Sequence, residues 1–193
     1  MSGSSTFENI LACARGLIAS GGYNGFSYAD IAVEVGIRKA SIHHHFPSKI
    51  DLVRTLVSRY REEARAGMAS LETRFPDPAE QLRAYVGYWQ SCIADASAPI
   101  CICALLASEV PILPDEVVTE VKAHFSALST WLASVLEEGA RRGTLRLAST
   151  PHVESELFMA TVHGAMLTAR AYGEPKAFAV VTDSLLERVI VQN

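Results

Sequence analysis

Apolar residues recur along this chain at intervals of three and four, the spacing that lines one face of a helix. No stretch holds the period of two that a half-buried strand needs. Ile10, Leu11, Ala14, Leu17 and Ile18 form the first stripe, and Gly21-Gly22 ends it. Ser27 then stands as an N-cap before Tyr28-Ala29-Asp30, with Asp30 at the third helical position, where a carboxylate can bond back to the cap. Tyr28, Ile31, Ala32 and Val35 make a short buried stripe that Gly36 breaks, and a second short helix follows over 39–46. Pro47 and Ser48 close it, and Ser48 caps a long helix reaching residue 74 that carries Leu52, Leu56, Val57 and Tyr60. Longer helices are predicted over 79–96, 100–110, 115–142, 151–172 and 174–191, separated by Pro76, Pro78, Pro111, Pro114, Gly143, Gly173 and Pro175. The expected fold class is all-α, with about nine helices: a three-helix helix-turn-helix head over 1–50 and a larger helical body over 51–193.

Hydrophobic residues make up 49% of the chain and charged residues 20%, enough apolar material for a packed core and too little polarity for disorder. The mean hydropathy is slightly positive, which points to apolar surface buried against a second copy. No apolar run approaches the ~18 residues that span a bilayer. Residues 1–6 are polar and lack the basic and apolar regions of a signal peptide, so the expected location is the cytoplasm, with no membrane contact. Cys13, Cys92, Cys101 and Cys103 are then expected as reduced thiols. The net charge of −4 is uneven: residues 1–60 hold six basic and four acidic side chains (+2), and the remainder eleven against seventeen (−6). A cationic head on an anionic body suits a nucleic-acid reader joined to a domain that does not touch nucleic acid.

Two short helices joined by a tight turn at Gly36 have the spacing of a helix-turn-helix, whose second helix enters the major groove. In the second helix Ile37, Ile42 and Phe46 can face the core. Arg38, Lys39, Ser41, His43 and His44 then point outward, a face rich in the donors that guanine edges and phosphate oxygens require. The bland alternative is a small helical subdomain with a solvated basic edge. Three consecutive histidines suggest a metal, but adjacent helical side chains diverge by ~100°, so they do not converge on one ion. No metal or cofactor is expected.

The stretch from Phe7 to Leu52 resembles the N-terminal domain of the tetracycline-repressor (TetR) family of bacterial regulators. The resemblance lies in Ile10-Leu11 and Ala14, Gly22-Tyr23, Phe26-Ser27, Asp30-Ile31-Ala32 and Val35-Gly36-Ile37, and most densely in the run from Lys39 to Lys49. It covers about a quarter of the chain. His43 stands where the family usually has tyrosine, and no basic run precedes the first helix. The resemblance implies that Ser27, Ser41, His43, His44 and Lys49 hold the DNA backbone, while Arg38, Lys39 and Ala40 lie nearest the base edges. It also implies a palindromic double-stranded operator, a homodimer formed by the last two helices, and a small-molecule effector.

The apolar faces of those helices, Val153, Leu157, Ala160, Gly164, Leu167 and Ala171 on the first and Phe178, Val181, Leu185, Val189 and Gln192 on the second, are the expected dimer surface or else ordinary core. Candidate ligand-lining residues in the body are Trp89, Cys92, Cys103, Phe125, Trp131, Phe158 and His163, with Tyr85 and Glu109 as polar groups, in the pattern of apolar walls with a few polar contacts. Cys101 and Cys103 lie ~200° apart on a helix, as two small buried hydrophobes or as one redox- or electrophile-sensing thiol. An enzyme is not expected: the chain has no GxSxG elbow, phosphate-cradling glycine loop, HExxH or paired CxxC. A helical adaptor that binds only protein stays open.

Overall fold

The computed structural model describes residues 5–192. Nine α-helices run through them in order: α1 Thr6–Gly21, α2 Tyr28–Val35, α3 Lys39–His45, α4 Lys49–Arg74, α5 Pro78–Ala94, α6 Ile102–Ala107, α7 Asp115–Arg142, α8 Pro151–Tyr172 and α9 Lys176–Val189. Short 3₁₀ turns lie at Tyr23–Gly25 and Val110–Ile112, and among the described residues the only extended pairing is an isolated bridge between Leu145 and Ile190. The residues before Ser5, where an N-terminal arm would begin, lie outside the described residues. No described helix is long and apolar enough to cross a membrane.

Helix boundaries follow the local chemistry. Ser48 caps α4 as expected: its hydroxyl accepts from Asp51 N (3.1 Å) and donates to the Asp51 carboxylate (2.7 Å). The expected helix over 100–110 is shorter, Ile102–Ala107, because Ser108 N and Glu109 N turn to the carbonyls three residues back and lead into a 3₁₀ turn holding Pro111.

The chain packs as two compact units. The first comprises the residues up to Glu62 with Ile102–His124, and the second Glu63–Cys101 with Phe125 onward. In the first, Ile10, Ala14 and Ile18 of α1, Ile31 of α2, Ile42 of α3 and Leu52, Val53 and Val57 of α4 have no exposed surface. Each large side chain among them stabilises the unit by roughly 1.5–3 kcal/mol. In the second unit α8 and α9 pack extensively together and α5 packs on α9, around Leu132, Leu136, Phe158, Val162, Met166 and Phe178. The end of α9 is tied down by Arg146 N donating to Val189 O (2.8 Å) and Val191 N to Thr144 O (3.0 Å).

Candidate nucleic-acid interface and effector site

The α2–turn–α3 segment is fixed from both ends. At the start, Ser27 and Asp30 form the expected capping box: Ser27 Oγ accepts from Ala29 N (3.2 Å), and Asp30 Oδ2 accepts from Ser27 N (2.7 Å) and Ser27 Oγ (2.8 Å). Those bonds hold the Asp30 carboxyl below the usual carboxylate range. At the turn, Gly36 is left-handed (φ 72°, ψ 35°), and its N–H and that of Ile37 both reach Ala32 O. At the far end, the Tyr28 hydroxyl donates to Phe46 O (2.9 Å), and burial first, then the Asp51 charge, pushes this phenol up to about 12.

On that scaffold α3 turns Ile42 and Phe46 inward, 0% and 2% exposed, while Ile37 is half-buried. Arg38, Lys39, Ala40, His43 and His44 are exposed and Ser41 is half-buried. Arg38 occupies the N-cap in extended conformation without spending its side chain on a capping bond. The three histidines part company: His43 sits edge-on to Tyr28 (4.8 Å), His45 against Phe7 (6.1 Å), and His44 beside His45 (5.4 Å). His43 Nδ1 lies 3.2 Å from Pro47 O, so the ring donates there through Nδ1 and keeps Nε2 for an outside partner.

Lys49 is placed differently from a side chain extended toward phosphate. Its ammonium donates to Phe26 O and lies over the rings of Phe26 (4.1 Å) and Tyr23 (4.9 Å), and burial lowers its pKa against the pull of the Asp30 and Glu109 carboxylates. Beside it is a contact that sequence reasoning missed. Glu109, assigned above to the ligand pocket, instead accepts from Tyr23 N (2.7 Å). Gly22 makes room: its φ is 72°, and a Cβ there would lie 1.8 Å from Glu109 Oε1. The Gly21-Gly22 pair marked a helix end, and nothing local marked the carboxylate that arrives from far along the chain.

The ligand candidates divide. Trp89, Cys92, Phe125, Trp131, Phe158 and His163 belong to the second unit, whereas Cys103 belongs to the first and is 0% exposed. Tyr85 joins the second-unit cluster, with ring centroids 5.6 Å from Trp131 and 6.5 Å from Phe158, and its hydroxyl pairs with Trp89. Burial pushes that phenol far up. Phe125 packs edge-on to His163 at 5.3 Å. Trp131 Nε1 and His163 Nε2 are buried without a hydrogen-bond partner among the described residues. A groove of about 530 Å³ runs between α7 and α8, bordered by Phe125 together with Ser126, Ser129, Glu137, His152 and Glu156, a more polar lining than the aromatic cluster around Tyr85.

Along α8 an apolar stripe faces solvent: Val153, Leu157 and Leu167 are 44–49% exposed, with Ala160 and Gly164 between them and Ala171 beyond. On α9 the assignment needs correction. Phe178, Leu185 and Val189 are buried within the protomer, because that stripe is the one α9 packs inward, while Val180 is 72% exposed and Val181 half-buried.

Residues 10–56 match the family model described as bacterial regulatory proteins, tetR family, and residues 78–185 match the tetracyclin repressor-like C-terminal domain. A TetR-family transcriptional regulator from Agrobacterium tumefaciens superposes with a TM-score of 0.94 at 61% identity, over 96% of this chain and 97% of that one. The HTH-type transcriptional regulator LmrA of Bacillus subtilis is 34% identical over 140 residues, 70% of this chain and 71% of LmrA. The HTH-type regulator CymR of Pseudomonas putida is 33% identical over 71 residues, and that match spans about a third of CymR (35%).

Proposed function

This chain belongs to the TetR family of bacterial transcription regulators, and from that premise we propose that it is a cytoplasmic repressor that holds a palindromic operator as a homodimer and lets go when a small molecule enters its body. The observation that carries this reading is the outward face of α3, where an unspent guanidinium, an ammonium and two imidazoles stand on a helix pinned by Ile42 and Phe46. Arg38 is the candidate for a bidentate guanine contact, with Lys39 and Ala40 beside it at the base edges. Ser41, His43 and His44 hold phosphates, whereas Ser27, expected beside them, gives both its N–H and its hydroxyl proton to Asp30 and acts by fixing the start of α2. With Nδ1 committed to Pro47, His43 donates to a phosphate through Nε2 only as the imidazolium. Lys49, given its cation–π seat, acts chiefly by fixing the Tyr23–Phe26 segment, and adds positive potential to the phosphate surface.

One reading helix contacts only a few base pairs, so specificity calls for two heads about 34–36 Å apart, one DNA turn. The exposed α8 stripe with Val180 of α9 supports pairing through these helices, since small residues let two copies approach closely. An effector that prefers a dimer with another spacing weakens DNA binding by the factor by which DNA weakens effector binding. Helix α4 is the candidate lever, a single helix with its first turns in one unit and its last in the other. The thiol-sensing alternative has less support: Cys101 and Cys103 are 1% and 0% exposed, whereas reactive cysteines are accessible thiolates.

The test is selection of duplexes from a randomised pool, then a binding titration at rising salt. The reading expects a palindrome with half-sites about one turn apart and affinity that falls linearly in log salt. No enrichment, even in dilute buffer, would overturn it.

A further inference from the structure

Trp131 and His163 stand on facing helices, 7% and 8% exposed, and neither Trp131 Nε1 nor His163 Nε2 has a hydrogen-bond partner among the described residues. Native interiors pair more than about 90% of such groups, and each one left unpaired costs roughly 1–3 kcal/mol. Two of them in one unit call for an explanation. Indole Nε1 can only donate, so whatever completes Trp131 brings an acceptor; imidazole Nε2 donates or accepts according to its tautomer. The surrounding surface is aromatic: Tyr85 against Trp131, Phe158 beyond Tyr85, and Phe125 edge-on to His163. Phe125 and Trp131 stand six positions apart on α7, about 9 Å of helix rise. Charge narrows the class further. Among the described residues no lysine or arginine is buried, while Glu154 of this unit is, its carboxylate accepting from Ala148 N at 3.1 Å. An anion entering here would find no buried cation.

We propose that the interior of the second unit binds a neutral, flat aromatic molecule bearing a carbonyl oxygen, which accepts from Trp131 Nε1, and a second polar group at its other end, which meets His163 Nε2. This rests on the effector reading and gives that effector a chemistry.

Calorimetry with four matched probes tests it: 2-acetonaphthone, its hydrocarbon counterpart 2-ethylnaphthalene, 2-naphthoate, and 6-hydroxy-2-acetonaphthone. The ketone should bind about tenfold tighter than the hydrocarbon, the worth of one buried hydrogen bond. That ratio should collapse in Trp131→Phe. The 6-hydroxy group should add a further several-fold that His163→Phe removes while leaving the ketone preference intact. The first comparison needs no variant, and thermal unfolding checks that each variant folds. Equal binding of ketone and hydrocarbon, tightest binding by 2-naphthoate, or no binding by any probe overturns the proposal. DNA titrations run in parallel separate the two claims. A ketone that binds through Trp131 yet leaves DNA affinity unchanged upholds the site and overturns the effector role. Sequence-specific DNA binding without probe binding leaves the regulator reading standing and overturns this site.

Discussion

The face of α3 and the interior of the second unit are both built for recognition, on opposite terms. Around α3 the scaffold is locally satisfied: the Ser27–Asp30 box, the Gly36 turn, the Tyr28–Phe46 bond and the seat of Lys49 all spend their polar groups within the head, and the residues left over point outward. The second unit keeps its unspent polar atoms inside, at Trp131 and His163, behind aromatic walls. A surface that must meet a large charged partner gains from being rigid and pre-formed, whereas a site that must answer a small molecule gains from groups satisfied only when it arrives.

Variants can sharpen or break that contrast. The largest effect belongs to Phe46→Ala, which empties a 2% exposed site stacked on Phe7 at 4.8 Å. It should cost roughly 3–5 kcal/mol in denaturant unfolding and abolish binding to every DNA sequence alike. Next is the double variant Leu157→Glu with Leu167→Glu on the exposed α8 stripe. Like charges set against each other across a two-fold interface cost several kcal/mol, so sedimentation should show monomers and operator affinity should fall with them. A dimer that survives would move the interface elsewhere.

Glu109→Ala strips the acceptor from Tyr23 N–H, a bond to a charged group worth about 1.5–3 kcal/mol, and should loosen the head without altering which bases are preferred. Arg38→Ala should leave stability unchanged, cost roughly 1–3 kcal/mol of operator affinity and relax preference at one base pair. The smallest effect concerns acid. Ser27 holds the Asp30 carboxyl below its usual range, so its contribution is full above the ordinary carboxylate pKa and is lost as pH falls through the lowered value. Asp30→Asn should remove that pH dependence, flattening the acid limb of thermal unfolding.

The same contrast explains what could be read from the sequence. Helix ends, the capping box and the anchoring of α3 were legible because they depend on residues within a few positions: Ser27 with Asp30, Gly36, and Ile42 with Phe46. The α8 stripe was legible too, since a helix that exposes Leu157 and Leu167 keeps the same three-and-four spacing as one that buries them. That ambiguity is also why α9 misled: Phe178, Leu185 and Val189 have the right period, but they pack within their own protomer. Glu109 against Tyr23, the inward turn of Lys49 and the orphaned nitrogens of Trp131 and His163 depend on side chains distant in sequence, which no local pattern encodes.

A crystal structure of the dimer on its selected duplex tests the central claim most directly. The account predicts α3 in the major groove with the Arg38 guanidinium about 2.7–3.2 Å from guanine O6 and N7. Duplex held by any other face, with α3 turned to solvent, would contradict it.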